Sequence, residues 1–186
     1  MTRTLNPENS VRRWLLIGLA GWLAGCGQIN EMQLKENTMT AKNMTLWQAI
    51  EALEQQIPFT KAKIEGFLST VLTETDNTGN DVFQFYKSNR IELGDGVEIS
   101  NVDLRIKRHG PHPGFMVLDI NGTCIKLDQV RSHYGEMQIT DMPRGHSLDE
   151  VTSYTAKRPW GELSFSFAER NPVCLASIAF DPNAMK

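Results

Sequence analysis

Three features of the chain predict an α+β fold built on one antiparallel sheet. Helical spacing is confined to short stretches, two of them between residues 45 and 68 and one after residue 124. Elsewhere, apolar residues alternate with period two between clusters of Gly, Asn, Asp and Pro, which is the pattern of strands joined by tight turns. The length that remains once a leader is set aside suits a single domain with a sizeable core.

The first helix opens on a capping signature. Thr45 can accept a hydrogen bond from the amide of Gln48, the Gln48 side chain can reach back, and Met44 stands in the staple position. Trp47, Ile50, Leu53 and Ile57 then recur at helical spacing until Pro58 ends the run. A second helix starts near Thr60 with Ile64, Phe67, Leu68 and Val71 on one face. The threonine-rich run from Ser69 to Thr75 favours extended structure, so the helix should stop near Leu68 and a strand should follow.

Asp76 to Asn80 is a turn leading to Val82, Phe83 and Phe85, and Gly94-Asp95-Gly96 is a turn leading to the longest strand. In that strand Val97 and Ile99 occupy odd positions, whereas Val102, Leu104 and Ile106 occupy even ones. Such a phase change near Ser100-Asn101 predicts a bulge, because side chains alternate strictly along a regular strand. His109 to Gly114 makes the next turn, and Met116, Leu118 and Ile120 point one way in the strand beyond it.

Asn121-Gly122 reads both as a hairpin and as the lead into a helix. Leu127, Val130 and Tyr134 have helical spacing and Gly135 sits where a C-terminal cap belongs, so the helix is the expectation. Tyr154, Leu163, Phe165 and Phe167, turned at Pro159-Trp160-Gly161, and the run from Val173 to Phe180 complete an antiparallel group. A short helix followed by strands thus occurs twice, first from Lys63 to Leu68 and again from Gln129 to Tyr134. In this order of elements the chain resembles small outer-membrane assembly lipoproteins and β-lactamase-inhibitory-protein-like domains. The resemblance implies a sheet whose open face binds another protein, and it assigns no individual residue.

The N-terminus carries an address. Arg3, Arg12 and Arg13 precede an apolar core from Trp14 to Leu23, which is too short to span a bilayer, where about 20 helical residues are needed. Leu23-Ala24-Gly25-Cys26 resembles the lipobox of bacterial lipoproteins. That resemblance implies cleavage after residue 25 and acylation of Cys26, with the membrane as one partner. Residues 26 to 44 are expected to be a lipidated flexible tether, and residues 45 to 186 a single α+β domain. By the sorting rule of that lipoprotein family, aspartate at the position of Gly27 marks retention in the inner membrane, so the resemblance implies the outer membrane, with the domain facing the periplasm.

Three of the 19 basic residues and one of the 22 acidic ones fall in the leader, which leaves the remaining 161 residues with a net charge of −5. A nucleic-acid partner is disfavoured, because binding phosphates needs a basic surface. With Cys26 acylated, Cys124 and Cys174 are left as an even pair in an exported chain, and a disulfide between them is expected.

Candidate chemistry is sparse. His109, His112, His133 and His146 lack the spacing of a zinc site, so no metal or other cofactor is expected. Cys124 with His133 could serve as a nucleophile and base in a cell-wall enzyme, but Cys174 competes for the thiol. Arg105, Lys107 and Arg108 form the one basic cluster of the mature chain, with Arg105 and Lys107 on the face opposite Leu104 and Ile106. Together with Trp160, whose indole could stand exposed at its turn or pack over the sheet edge, they are the candidate partner-binding residues. The function expected is therefore binding of another protein, as an inhibitor or immunity-type lipoprotein. An accessory role in envelope assembly is the second possibility and a cysteine-dependent hydrolase the third.

Overall fold

The computed structural model describes residues 40–75 and 79–182, all within one compact unit, Asn37–Lys186. Cys26, its leader and most of the tether lie outside the described residues. The unit is α+β as expected, with three helices and one antiparallel sheet of nine strands.

Helix α1, Leu46–Glu54, starts on the capping box that its sequence announces: Thr45 accepts from the Gln48 amide while the Gln48 side chain accepts from the Thr45 amide. Leu46, Ala49, Ile50 and Leu53 are its buried residues, and Trp47 lies at the margin, stacked on His133 with ring centroids 4.0 Å apart. Helix α2, Lys61–Leu68, ends with Ser69 in the left-handed conformation at φ 51°. That reversal corrects the expected face. It turns Leu72 inward and leaves Val71 67% exposed, whereas unbroken helical spacing would have buried Val71 with Ile64 and Leu68. Helix α3, Leu127–Tyr134, takes the stretch after Asn121-Gly122, and Gln129 accepts from the Lys126 amide at its start.

The folded unit begins before Thr45, where the sequence places its start. Ala41–Asn43 form a 3-10 turn, Ala41 and Met44 are buried, and the Gly94 amide donates to the Met44 carbonyl at 2.8 Å. Residues 41–44 thus belong to the folded domain, because two apolar side chains spaced three apart are enough to dock a polar segment.

The strands are β1 (Leu72–Glu74), β2 (Phe83–Ser88), β3 (Ile91–Glu92), β4 (Val97–Lys107), β5 (Phe115–Gly122), β6 (Gln138–Asp141), β7 (Val151–Arg158), β8 (Gly161–Ala168) and β9 (Leu175–Asp181). Their order is β1-β2-β4-β5-β9-β8-β7-β6, with β3 paired to β4. The register of β4 on β5 shifts between Ile99 and Asn101, which is the bulge that the change of phase predicts. The bulge returns Val102 and Leu104 to the same buried face as Val97 and Ile99. Gly122 sits at φ +78° and a Cβ there would come 2.5 Å from the Gly96 carbonyl oxygen, so only glycine fits where β5 ends against that turn.

The sheet reads as two four-strand halves joined through their last strands, β5 and β9, with Val117 opposite Ala179. Each half follows an eight-residue helix, α2 or α3. Counting outward from the central pair, a local two-fold places Leu104 on Phe165 and Tyr86 on Tyr154. One core serves both halves. It joins Ile50, Leu53, Ile64 and Val130 of the helices to Leu104, Met116, Leu118, Leu163, Phe165, Ile178 and Phe180 of the strands. All three helices therefore pack on one face of the sheet.

Candidate protein-binding face

Period two along each strand sends the remaining side chains to the other face, where cross-strand register sorts them into rows. The middle row runs Lys87, Asp103, Val117, Ala179, Ser164, Thr155, Gln138. Beside it runs Asn101, Asp119, Ser177, Ser166, Ser153, Asp141. On the opposite side of the middle row, Phe85, Arg105 and Phe115 stand abreast on β2, β4 and β5.

The local two-fold exposes a difference between the halves. Where the first half presents Phe85, Lys87, Asp103 and Arg105, the second presents Ser153, Thr155, Ser164 and Ser166. Those small residues satisfy one another. The Thr155 hydroxyl is 2.7 Å from both Thr140 and Ser164, and the Ser153 hydroxyl is 2.9 Å from Ser166. With its hydroxyls already paired, and with Ser153, Thr155 and Ser166 buried, the second half offers few free polar groups there. The aromatic side chains of this face belong to the first half.

Arg105 is the most constrained of these. Its guanidinium lies 5.4 Å from the Phe85 ring and 5.2 Å from the Phe115 ring, and it donates to Asp103 from Nη2 at 2.7 Å and from Nε at 3.2 Å. Two aromatic faces and a carboxylate leave the side chain little rotamer freedom to lose on binding. A recess of about 350 Å³ opens here, lined by Asn80, Phe83, Phe85, Arg105, His112, Phe115 and Asp181. His112 lies edge-on to Phe83 at 5.2 Å and its Nδ1 accepts from the Gly114 amide. Burial and the nearby Lys107 hold the imidazole below its ordinary pKa, against the opposing pull of the Asp181 carboxylate.

A larger cleft of about 560 Å³ lies beside the disulfide, with Asp119, Asn121, Asn171 and Ser177 among its lining. It carries no aromatic anchor, and the Asp149–Arg170 ion pair stands at its side. By composition the smaller recess is the better binding site.

Of the residues singled out from sequence, Arg105 and Lys107 do share the open face. Arg108 does not join them: it lies beyond the strand's end, with its guanidinium 3.7 Å from Glu74. Trp160 is corrected more fully. Its indole stacks on Phe180 at 6.0 Å on the helix-covered side and its N–H is enclosed, so it packs the core and is not an exposed anchor. Cys124 and Cys174 are joined with Cα atoms 5.0 Å apart, so the thiol considered as a nucleophile is committed to a crosslink. His133 lies against Trp47 and His112 against Phe83, far apart in the fold, and no metal-binding cluster occurs among the described residues. Phe85 and Phe115 escaped sequence reading, because only cross-strand register brings them to Arg105.

Between α1 and the β7–β8 turn lies a buried ion pair, Glu54 to Arg158 at 2.9 Å, with the Glu54 side chain 7% exposed. Tyr134 lies under the Arg158 guanidinium, and burial together with the Glu54 carboxylate pushes its phenol well above the usual range. Glu54→Ala should therefore lower stability by about 2–3 kcal/mol. That is less than a fully buried pair would lose, since a third of the Arg158 side chain meets water. Urea unfolding checks this, and a shift no larger than that of the exposed Glu92→Ala would refute it.

Comparison with protein-family models finds no match to this chain, and comparisons with curated proteins and with solved structures find none either.

Proposed function

We propose that the chain is a lipid-anchored protein of the cell envelope whose domain is a non-catalytic protein-binding module, most simply an inhibitor or immunity-type lipoprotein. A sheet with every helix on one face, and a rigid Phe85–Arg105–Phe115 stack on the other, is the observation that carries this reading. Such a stack offers a partner an aromatic and cationic anchor at small entropic cost. Attachment of Cys26 to the outer membrane, with the domain in the periplasm, would raise the local concentration of a stoichiometric blocker near its target. The commitment of Cys124 to Cys174 argues against the cysteine-hydrolase alternative.

Two experiments bear on it. Cys26→Ser should abolish incorporation of a fatty-acid probe and release the protein from the membrane fraction; unchanged labelling or fractionation would end the lipoprotein reading. Affinity purification of the full-length protein from detergent-solubilised envelopes should yield one stoichiometric partner that is lost on Phe85→Ala/Phe115→Ala. A toxin or hydrolase as that partner supports inhibition, and a β-barrel or its assembly machinery supports the assembly role.

A further inference from the structure

Charge is distributed unevenly over the open face. Lys87 is the register partner of Asp103 and Lys107 that of Phe83, so both ammonium groups flank the Arg105 stack. Both lysines are exposed, and neither belongs to an ion pair among the described residues. Of the carboxylates around the recess, Asp103 is occupied by Arg105, Glu74 stands beside Arg108, and Asp181 on the recess wall acts on His112, which leaves Lys87 and Lys107 as the cations there not engaged in an ion pair among the described residues. Of the other acids on the open face, Asp119 and Asp141 sit on β5 and β6, and Glu162 on β8 is the register partner of Asp181. Phe83, Phe85 and Phe115 are each half-buried and give the recess an apolar lining.

From this we infer that the recess is the centre of the binding face, and that it receives a loop of a partner protein carrying an aromatic or aliphatic side chain beside one or more carboxylates. The apolar side chain fills the space between Phe83, Phe85 and Phe115, where burial of apolar area supplies affinity. Its neighbouring carboxylates meet Lys87 and Lys107 at the rim and the free edge of the Arg105 guanidinium, and so fix orientation and raise the association rate. A basic loop would be repelled by the same three cations. This inference rests on the protein-binding reading and narrows it to one site and one partner chemistry.

Site-specific photocrosslinking in cells, in the full-length lipidated protein, tests it. A photoreactive phenylalanine analogue is placed at Phe85 or Phe115 in the recess and, for comparison, at Ile139 on the sheet edge or Val173 in the β8–β9 turn. Crosslinks from Phe85 and Phe115 are expected to land on a peptide of another protein with an apolar residue and Asp or Glu within about two positions. Lys87→Glu/Lys107→Glu, two changes at exposed side chains that leave the core intact, should cut the yield tenfold or more. Crosslinks confined to Ile139 or Val173 would overturn the recess as the site and leave the protein-binding reading standing. A crosslinked peptide that is basic, a lipid adduct, a second copy of this chain, or a yield unaffected by the lysine changes would overturn the partner chemistry. Absence of protein crosslinks from all four positions would overturn both.

Discussion

Phe180→Ala is expected to destabilise the domain by about 3–5 kcal/mol. Its ring is fully buried on the helix-covered side of β9, edge-on to Phe59 at 5.9 Å and stacked on Trp160 at 6.0 Å. Met116 and Leu163 are its register partners on the two neighbouring strands, so truncation opens a void where four elements meet. Surrounding strands are tied by ladder hydrogen bonds and cannot collapse into the gap, which places the cost toward the upper part of the range. Since domains are typically stable by about 5–15 kcal/mol, a loss of this size should lower the melting temperature by on the order of 10–20 °C. Trp160 reports the change directly, because its indole loses its stacking partner and its fluorescence should shift to the red. A melting shift no greater than that of Val173→Ala, at a position 57% exposed, would show that the packing around Phe180 is not as described.

Loss of the disulfide is the second large effect. Cys124 precedes α3 and Cys174 precedes β9, and the crosslink spans 50 positions of the sequence. Restricting a loop of that length in the unfolded chain stabilises the native state by roughly 4 kcal/mol on the chain-entropy account. Cys124→Ser/Cys174→Ser should lower stability by about that amount, and adding reductant to the unaltered protein should reproduce most of the loss. The backbone keeps the two segments adjacent even so, because the Leu175 amide donates to the Ile125 carbonyl at 2.8 Å, and the serine variant is therefore expected to fold. Non-reducing peptide mapping of the purified protein provides the direct check: Cys124 and Cys174 both free would refute the crosslink.

Local chemistry made much of this fold legible. The Thr45–Gln48 box, the end of α2 near Leu68, the bulge at Ser100 and the helix after Gly122 all follow from interactions within a few residues of each position. Strand β6 did not, since Gln138–Asp141 contains one apolar residue and all four positions are exposed, which leaves no alternation to detect. Val71 misled for a related reason: periodicity continues on paper past the left-handed turn at Ser69, where the chain itself changes direction. For the binding face, period two placed Arg105 and Lys107 together. What holds Arg105 came only with register, because Phe85 and Phe115 lie 20 and 10 positions away in sequence. Trp160 remained open because a tryptophan at a turn can face either way, and its position over Phe180 is decided by tertiary packing.

The seam between β5 and β9 also bears on how the polypeptide matures. Each half of the sheet ends on the strand that must find its counterpart, and β9 is the last of the described strands to be synthesised. Until it arrives, the earlier half displays β5 with its outer row of amides and carbonyls unpaired, an invitation to foreign strands and to proteases. A nascent chain stalled before residue 175 is therefore the species most exposed to strand addition and proteolysis.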